Sequence, residues 1–134
     1  MFALSNISKS FGSVRAVAPT NLEIPAGRTT VLIGPSGCGK STLLRLMNGL
    51  ETPDSGSVTF DSEAVPAASA PSLRRRMGYV IQQGGLFPHM TARQNITVMA
   101  RQTGWIAPDI EARLQVLADL TRFPQNGLAR YPAE

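Results

Sequence analysis

The chain has 134 residues, 43% of them hydrophobic, and a net charge of +4, which describes one small domain able to bury a sizeable core. A single cysteine, Cys38, excludes an internal disulfide and a cysteine-rich metal site. No apolar run approaches the roughly 18 residues of a membrane span, and Met1-Phe2-Ala3-Leu4 leads straight into polar residues, so an intracellular protein that does not itself cross a membrane is expected.

In chain order, Phe2 to Phe11 alternates in character like a strand and is ended by Gly12. Val14–Val17 and Asn21–Ile24 read as two short strands, and Pro25-Ala26-Gly27 as a turn. Thr29–Ile33 is an apolar strand. A helical pattern begins at Lys40 and stops near Gly49. Pro53-Asp54-Ser55-Gly56 is a turn before a strand at Ser57–Phe60. Ala64–Pro71 reads as a loop, and a short helix with Ser72 as cap covers Ser72–Arg76. Its Arg74-Arg75-Arg76 is the only basic run. No aromatic residues interleave with it and no helix-turn-helix or zinc pattern accompanies it, so it is a solvated helix end rather than a nucleic-acid site. Met77–Ile81 has buried-strand length. Gln82–Met90 is a loop, Thr91 caps a helix to about Thr103, and a second helix spans Asp109–Leu120. The tail from Phe123 to Glu134 looks irregular.

Between the strand at Thr29–Ile33 and the helix from Lys40 lies Gly34-Pro35-Ser36-Gly37-Cys38-Gly39-Lys40-Ser41, which fits GxxxxGK[ST], the phosphate-binding loop. Its glycines let successive backbone N–H groups curl inward onto phosphate oxygens. The helix start adds its positive dipole end. Lys40 supplies a point charge to the β- and γ-phosphates, and the Ser41 hydroxyl is suited to Mg²⁺. Cys38 has no base placed in sequence to activate it, so it is an ordinary loop residue and at most a labelling handle. The fold class expected is α/β: an incomplete P-loop NTPase core with an N-terminal antiparallel β subdomain and a helical subdomain.

The order of segments resembles the ATP-binding subunit of an ABC transporter. Leu32 to Arg45 looks like that family's Walker A segment, Asn48 to Gly56 is similar to the turn that follows it, and Met77 to Thr91 resembles its strand and Q-loop. The tandem Gln82-Gln83 followed by Leu86-Phe87-Pro88-His89-Met90-Thr91 looks closest to importers of glycine betaine, choline or proline.

The resemblance implies ATP and Mg²⁺ as cofactors, bound by Gly34, Pro35, Ser36, Gly37, Cys38, Gly39, Lys40, Ser41 and Thr42. It implies that Phe11 stacks on adenine and that Gln82, with Ser41, serves the metal and the attacking water; Gln83, one residue on, points the other way if the chain is extended there. It implies a transmembrane permease as partner, meeting the Q-loop and helical subdomain, with Leu86, Phe87, Pro88 and Met90 as apolar contacts. A second copy would complete the ATP sandwich, and the subunit would be cytoplasmic, peripheral on the inner face of the membrane. Residues 1–87 would form the β flap and P-loop core, and 88–134 the helical subdomain.

The 134 residues contain no Leu-Ser-Gly-Gly-Gln signature, no Walker B strand and no switch histidine. Leu114–Asp119 lies on a helical pattern and lacks a following Glu. His89 sits in the Q-loop segment. This looks like the N-terminal portion of a subunit about twice as long, inactive as an ATPase alone. A short nucleotide-binding protein without turnover, or another P-loop NTPase such as a kinase or GTPase, are the alternatives.

Overall fold

The computed structural model describes residues 1–65, 70–82 and 84–133. They form two compact units, Met1–Tyr79 and Val80–Glu134. The division falls earlier than the boundary expected at 87/88. The loop before the helices belongs with them, because the Phe87 N–H donates to Asn95 Oδ1 at 2.7 Å.

The first unit is built on β1 (Phe2–Phe11), the one strand that pairs on both sides with long partners. The four-stranded antiparallel sheet has the order β2-β1-β3-β4, with β2 at Val14–Ile24, β3 at Ser55–Phe60 and β4 at Glu63–Ala64. The two short strands expected at 14–17 and 21–24 are one continuous β2. Pro19 does not break it, because β2 is an edge strand and an edge position tolerates a missing N–H. The β1–β2 register shifts three times, between Leu4 and Ile7, between Ile7 and Lys9 where β2 passes Pro19, and between Lys9 and Ser10. In the first of these shifts Asn6 takes a φ of 48° and its N–H donates to Asn21 Oδ1 at 2.7 Å.

Helix α1 (Lys40–Met47) lays one apolar face on this sheet. Leu43, Leu46 and Met47 pack with Leu4, Ile7, Val17 and Val58 in a buried cluster. The spacing of those three helix residues is what puts them on one side. Burying each large apolar side chain contributes about 1.5–3 kcal/mol, so this contact is the main reason that so short a helix is stable.

Two expected strands are not strands. Thr29–Ile33 and Met77–Ile81 pair with no strand among the described residues, and Val31 is 71%, Ile33 91% and Val80 94% exposed. Their apolar content reads as strand, but a strand needs a neighbour to exchange hydrogen bonds with. The short helix α2 begins at Ala70 and ends at Arg74, so Ser72 lies inside it and is not its cap. Residues 66–69 of the expected loop lie outside the described residues, while Ala64 ends β4. The arginine run is also more engaged than a solvated end. Arg74 Nη1 donates to the Gly49 carbonyl at 3.1 Å, and Arg76 pairs with Glu63 at 2.7 Å and Asp61 at 3.4 Å.

In the second unit, α3 (Ala92–Gln102) carries the expected cap at Thr91, completed as a capping box by Gln94. Helix α4 runs from Ala107 to Thr121, starting before Asp109 because Pro108 suits a first turn. Arg93 on α3 pairs with Glu111 on α4. The tail is not wholly irregular. Gln125–Ala129 forms a 3₁₀ turn that buries Leu128. Glu134 lies outside the described residues.

The Ser10 N–H donates to Asp54 Oδ2 at 2.7 Å and Lys9 to Asp54 Oδ1 at 3.1 Å, which together hold the Asp54 carboxyl below the usual aspartate range. A lowered folded-state value means that the stabilisation is present above the unfolded pKa and is lost as pH falls through the folded one. Asp54→Asn is therefore expected to lower the melting temperature near pH 7. The gap from the parent chain should close as the pH falls below about 4; a gap that is independent of pH would contradict the assignment.

Candidate nucleotide-binding site

The phosphate loop is placed by α1 and by a backbone contact. At Gly39, φ is 94°, and a Cβ there would lie 2.2 Å from the Ala16 carbonyl oxygen of β2. Only a residue without a side chain lets the loop reach the helix start at this distance from the sheet. Gly39 is also the N-cap of α1, and no side chain caps the helix. The first-turn N–H groups and the helix dipole are thus presented by Lys40, Ser41 and Thr42. Gly34 and Gly37 have φ of 158° and 80°, curving the backbone on either side of Pro35 and Ser36.

Lys40 folds back over the loop. Its Nζ donates to the Gly34 carbonyl at 2.8 Å and the Pro35 carbonyl at 2.7 Å, with Cys38 Sγ at 3.4 Å. Cys38 is exposed, as are Ser36, Gly37 and Ser41. An ammonium held over an uncapped helix start, in a loop of positive-φ glycines, is a donor set that fits a polyphosphate. Ser41 adds a hard oxygen donor in the first turn, of the kind Mg²⁺ takes beside phosphate oxygens. Among the described residues no cluster of three His, Cys, Asp or Glu side chains offers a metal site of its own.

Phe11 ends β1 in the same unit, with its ring 47% exposed and Lys9 Nζ 5.5 Å from the ring centroid. Gln82 is exposed and belongs to the second unit; Gln83 lies outside the described residues. In that second unit the Leu86–Met90 loop leaves Leu86 and Phe87 exposed beside an apolar cavity of about 440 Å³ lined by Leu86, Ala92, Ile96, Phe123 and Tyr131. The loop is held by a residue that the sequence did not flag. Asn95 Nδ2 donates to the carbonyls of Phe87, Met90 and Thr91 at 3.1, 3.0 and 3.1 Å. A polar residue inside a helix gives no sign of such a role until the loop is seen folded over it.

The family model described as ABC transporter matches residues 17–133. The chain belongs to the ABC transporter family. Its resemblance to that family's ATP-binding subunits therefore holds. Relatives among characterised proteins include the osmoprotectant import ATP-binding protein OsmV of Salmonella typhimurium, 42% identical over 140 residues that cover 100% of this chain and 37% of the relative. The choline transport ATP-binding protein OpuBA of Bacillus subtilis is 40% identical, again over 100% of this chain and 35% of the relative. The chain thus spans a little over a third of the length of these relatives. Among solved structures, the ATP-binding cassette MJ0796 in a dimeric post-hydrolysis state bound to ADP and Pi superposes with a TM-score of 0.88 at 26% identity, over 99% of this chain and 62% of that one. The α/β cassette fold, present here in part, is the one expected from the sequence.

Gly39→Ala is expected to destabilise the first unit by more than 1 kcal/mol, from positive φ and a clash with backbone. Gly37→Ala, where φ is 80° and nothing lies within 4 Å of an added Cβ, carries the φ cost alone and should do less harm. Denaturant unfolding of the two variants side by side measures the difference; equal losses would remove the argument from close approach.

Proposed function

We propose that this chain is the nucleotide-binding portion of an ATP-binding subunit of an ABC importer for osmoprotectants of the quaternary-amine class. The carrying observation is the phosphate loop, with Lys40 folded over Gly34 and Pro35 at an uncapped helix start. The solute class rests on relatives that are named for osmoprotectant and choline transport.

In this reading the backbone of Gly34 to Gly39 and the first turn of α1 wrap the β- and γ-phosphates, and Lys40 exchanges carbonyl partners for phosphate oxygens. Ser41 would hold Mg²⁺, which when bound neutralises charge on the phosphates. Phe11 offers its ring face to adenine, a contact that tolerates a planar base without a hydrogen-bond code. A transmembrane permease would seat on the exposed Leu86–Met90 loop and the apolar cavity beside it, and a second copy would face the phosphate loop. No helix among the described residues is long and apolar enough to cross a membrane.

Lys40→Ala is expected to weaken ATP binding by about ten- to a hundredfold, the range for losing a charge-assisted bond, and adenosine binding by little. Calorimetry with both ligands decides it. Equal loss of the two, with the fold retained, would contradict the phosphate role.

Turnover is expected to be absent from the 134-residue chain. It supplies the phosphate cradle and Gln82, but no Walker B aspartate with a following Glu. The nearest pattern, Leu114–Asp119, lies within α4, where Asp119 accepts a hydrogen bond from Gln115 at 2.9 Å. Groups that act as a unit lose function far more than additively. Phosphate release is measured beside Lys40→Ala. Steady release by the parent chain alone would favour a kinase- or GTPase-type reading.

A further inference from the structure

The end of β1 carries an arrangement that the phosphate loop does not explain. Lys9 is only 15% exposed at its side chain. Nζ donates to the Thr52 carbonyl at 2.8 Å and to Asp54 Oδ1 at 3.1 Å, while lying 5.5 Å from the centre of the Phe11 ring. Lys9 and Phe11 are two apart on a strand and so share a face. The turn that supplies both acceptors is itself bolted to the same strand. The Asp54 N–H donates to the Ser8 carbonyl at 2.9 Å, and the Ser10 N–H to Asp54 Oδ2 at 2.7 Å. Asp54 therefore grips the backbone on both sides of Lys9 and its ammonium as well.

The Lys9 side chain is largely covered, and its ammonium lies against a ring that stays half exposed. A cation held against an aromatic face both restrains the ring and draws on its π density. An aromatic ring so restrained loses less freedom when a planar ligand stacks on it.

We propose that Lys9, clamped by the Thr52 carbonyl and Asp54, is a positioning residue that fixes the Phe11 ring for the base of the bound nucleotide. The proposal rests on the reading of Phe11 as the base-stacking residue. It makes the turn after α1 part of the base site through its hold on Lys9.

The test uses the 134-residue chain, with ATP and inorganic tripolyphosphate as probes and Kd read by calorimetry. The second probe shares the phosphates and has no base. Lys9→Met keeps the stem and removes the charge. It is expected to weaken ATP by about two- to fivefold, the range of a single cation–ring contact, and to leave tripolyphosphate unchanged. Lys9→Arg should restore most of the loss, and Asp54→Asn should reproduce part of it. In a Phe11→Ala background, Lys9→Met should have no further effect. Phe11→Ala that weakens ATP while Lys9→Met does not would overturn the proposal and spare the stacking reading. Phe11→Ala that leaves ATP binding intact would overturn both. Equal loss of both probes in Lys9→Met would make Lys9 a phosphate-side charge. A Lys9→Met loss that persists without the Phe11 ring would also overturn the proposal. If Lys9→Met does not fold, as judged by its melting transition, Lys9→Arg and Asp54→Asn carry the comparison, and wild-type affinity for ATP in Asp54→Asn overturns it.

Discussion

Everything in the first unit depends on the burial of one face of an eight-residue helix. Leu43, Leu46 and Met47 hold α1 on the antiparallel sheet, and its N-terminus is the floor of the phosphate loop. A helix this short has little stability of its own. The sheet supplies the apolar partners, chiefly Leu4, Ile7 and Val58, and so decides where the helix start points. The loop adds the second fixed point at Gly39, whose backbone lies against the Ala16 carbonyl. The loop is thus fixed at two points, by a core contact through α1 and by a steric one at Gly39.

The chain has two lysines among its thirteen basic residues, and their settings differ in kind. Lys40 is held by carbonyls within its own loop, partners that a phosphate can replace. Lys9 is held by a carbonyl and a carboxylate from a distant turn, partners that stay. An ammonium is a compact charge on a flexible stem, and the surrounding acceptors decide whether it is exchangeable or fixed.

What the sequence disclosed follows from what is local. The phosphate loop, the Thr91 cap, β1 and the three main helices were legible because each rests on residues close together in the chain. The continuity of β2 through Pro19 was not, since it depends on β2 being an edge and on shifts of register against another strand. The 3₁₀ turn at Gln125–Ala129 was hidden because its only apolar anchor is Leu128. Thr29–Ile33 and Met77–Ile81 read as strands from composition that is suited to pairing, yet pairing is a property of neighbours. The grip of Asn95 on the Leu86–Met90 loop, and of Asp54 on Lys9, join residues whose types carry no hint of the partner.

The unpaired run at Thr29–Ile33 has a consequence for handling as well as for fold. Val31 and Ile33 lie bare to water. Apolar residues of strand-forming type without a partner can recruit the same segment of another molecule. Self-association through this run would then rise with concentration. A short extended peptide offered in excess would act as a plug, covering the run and keeping the molecules apart.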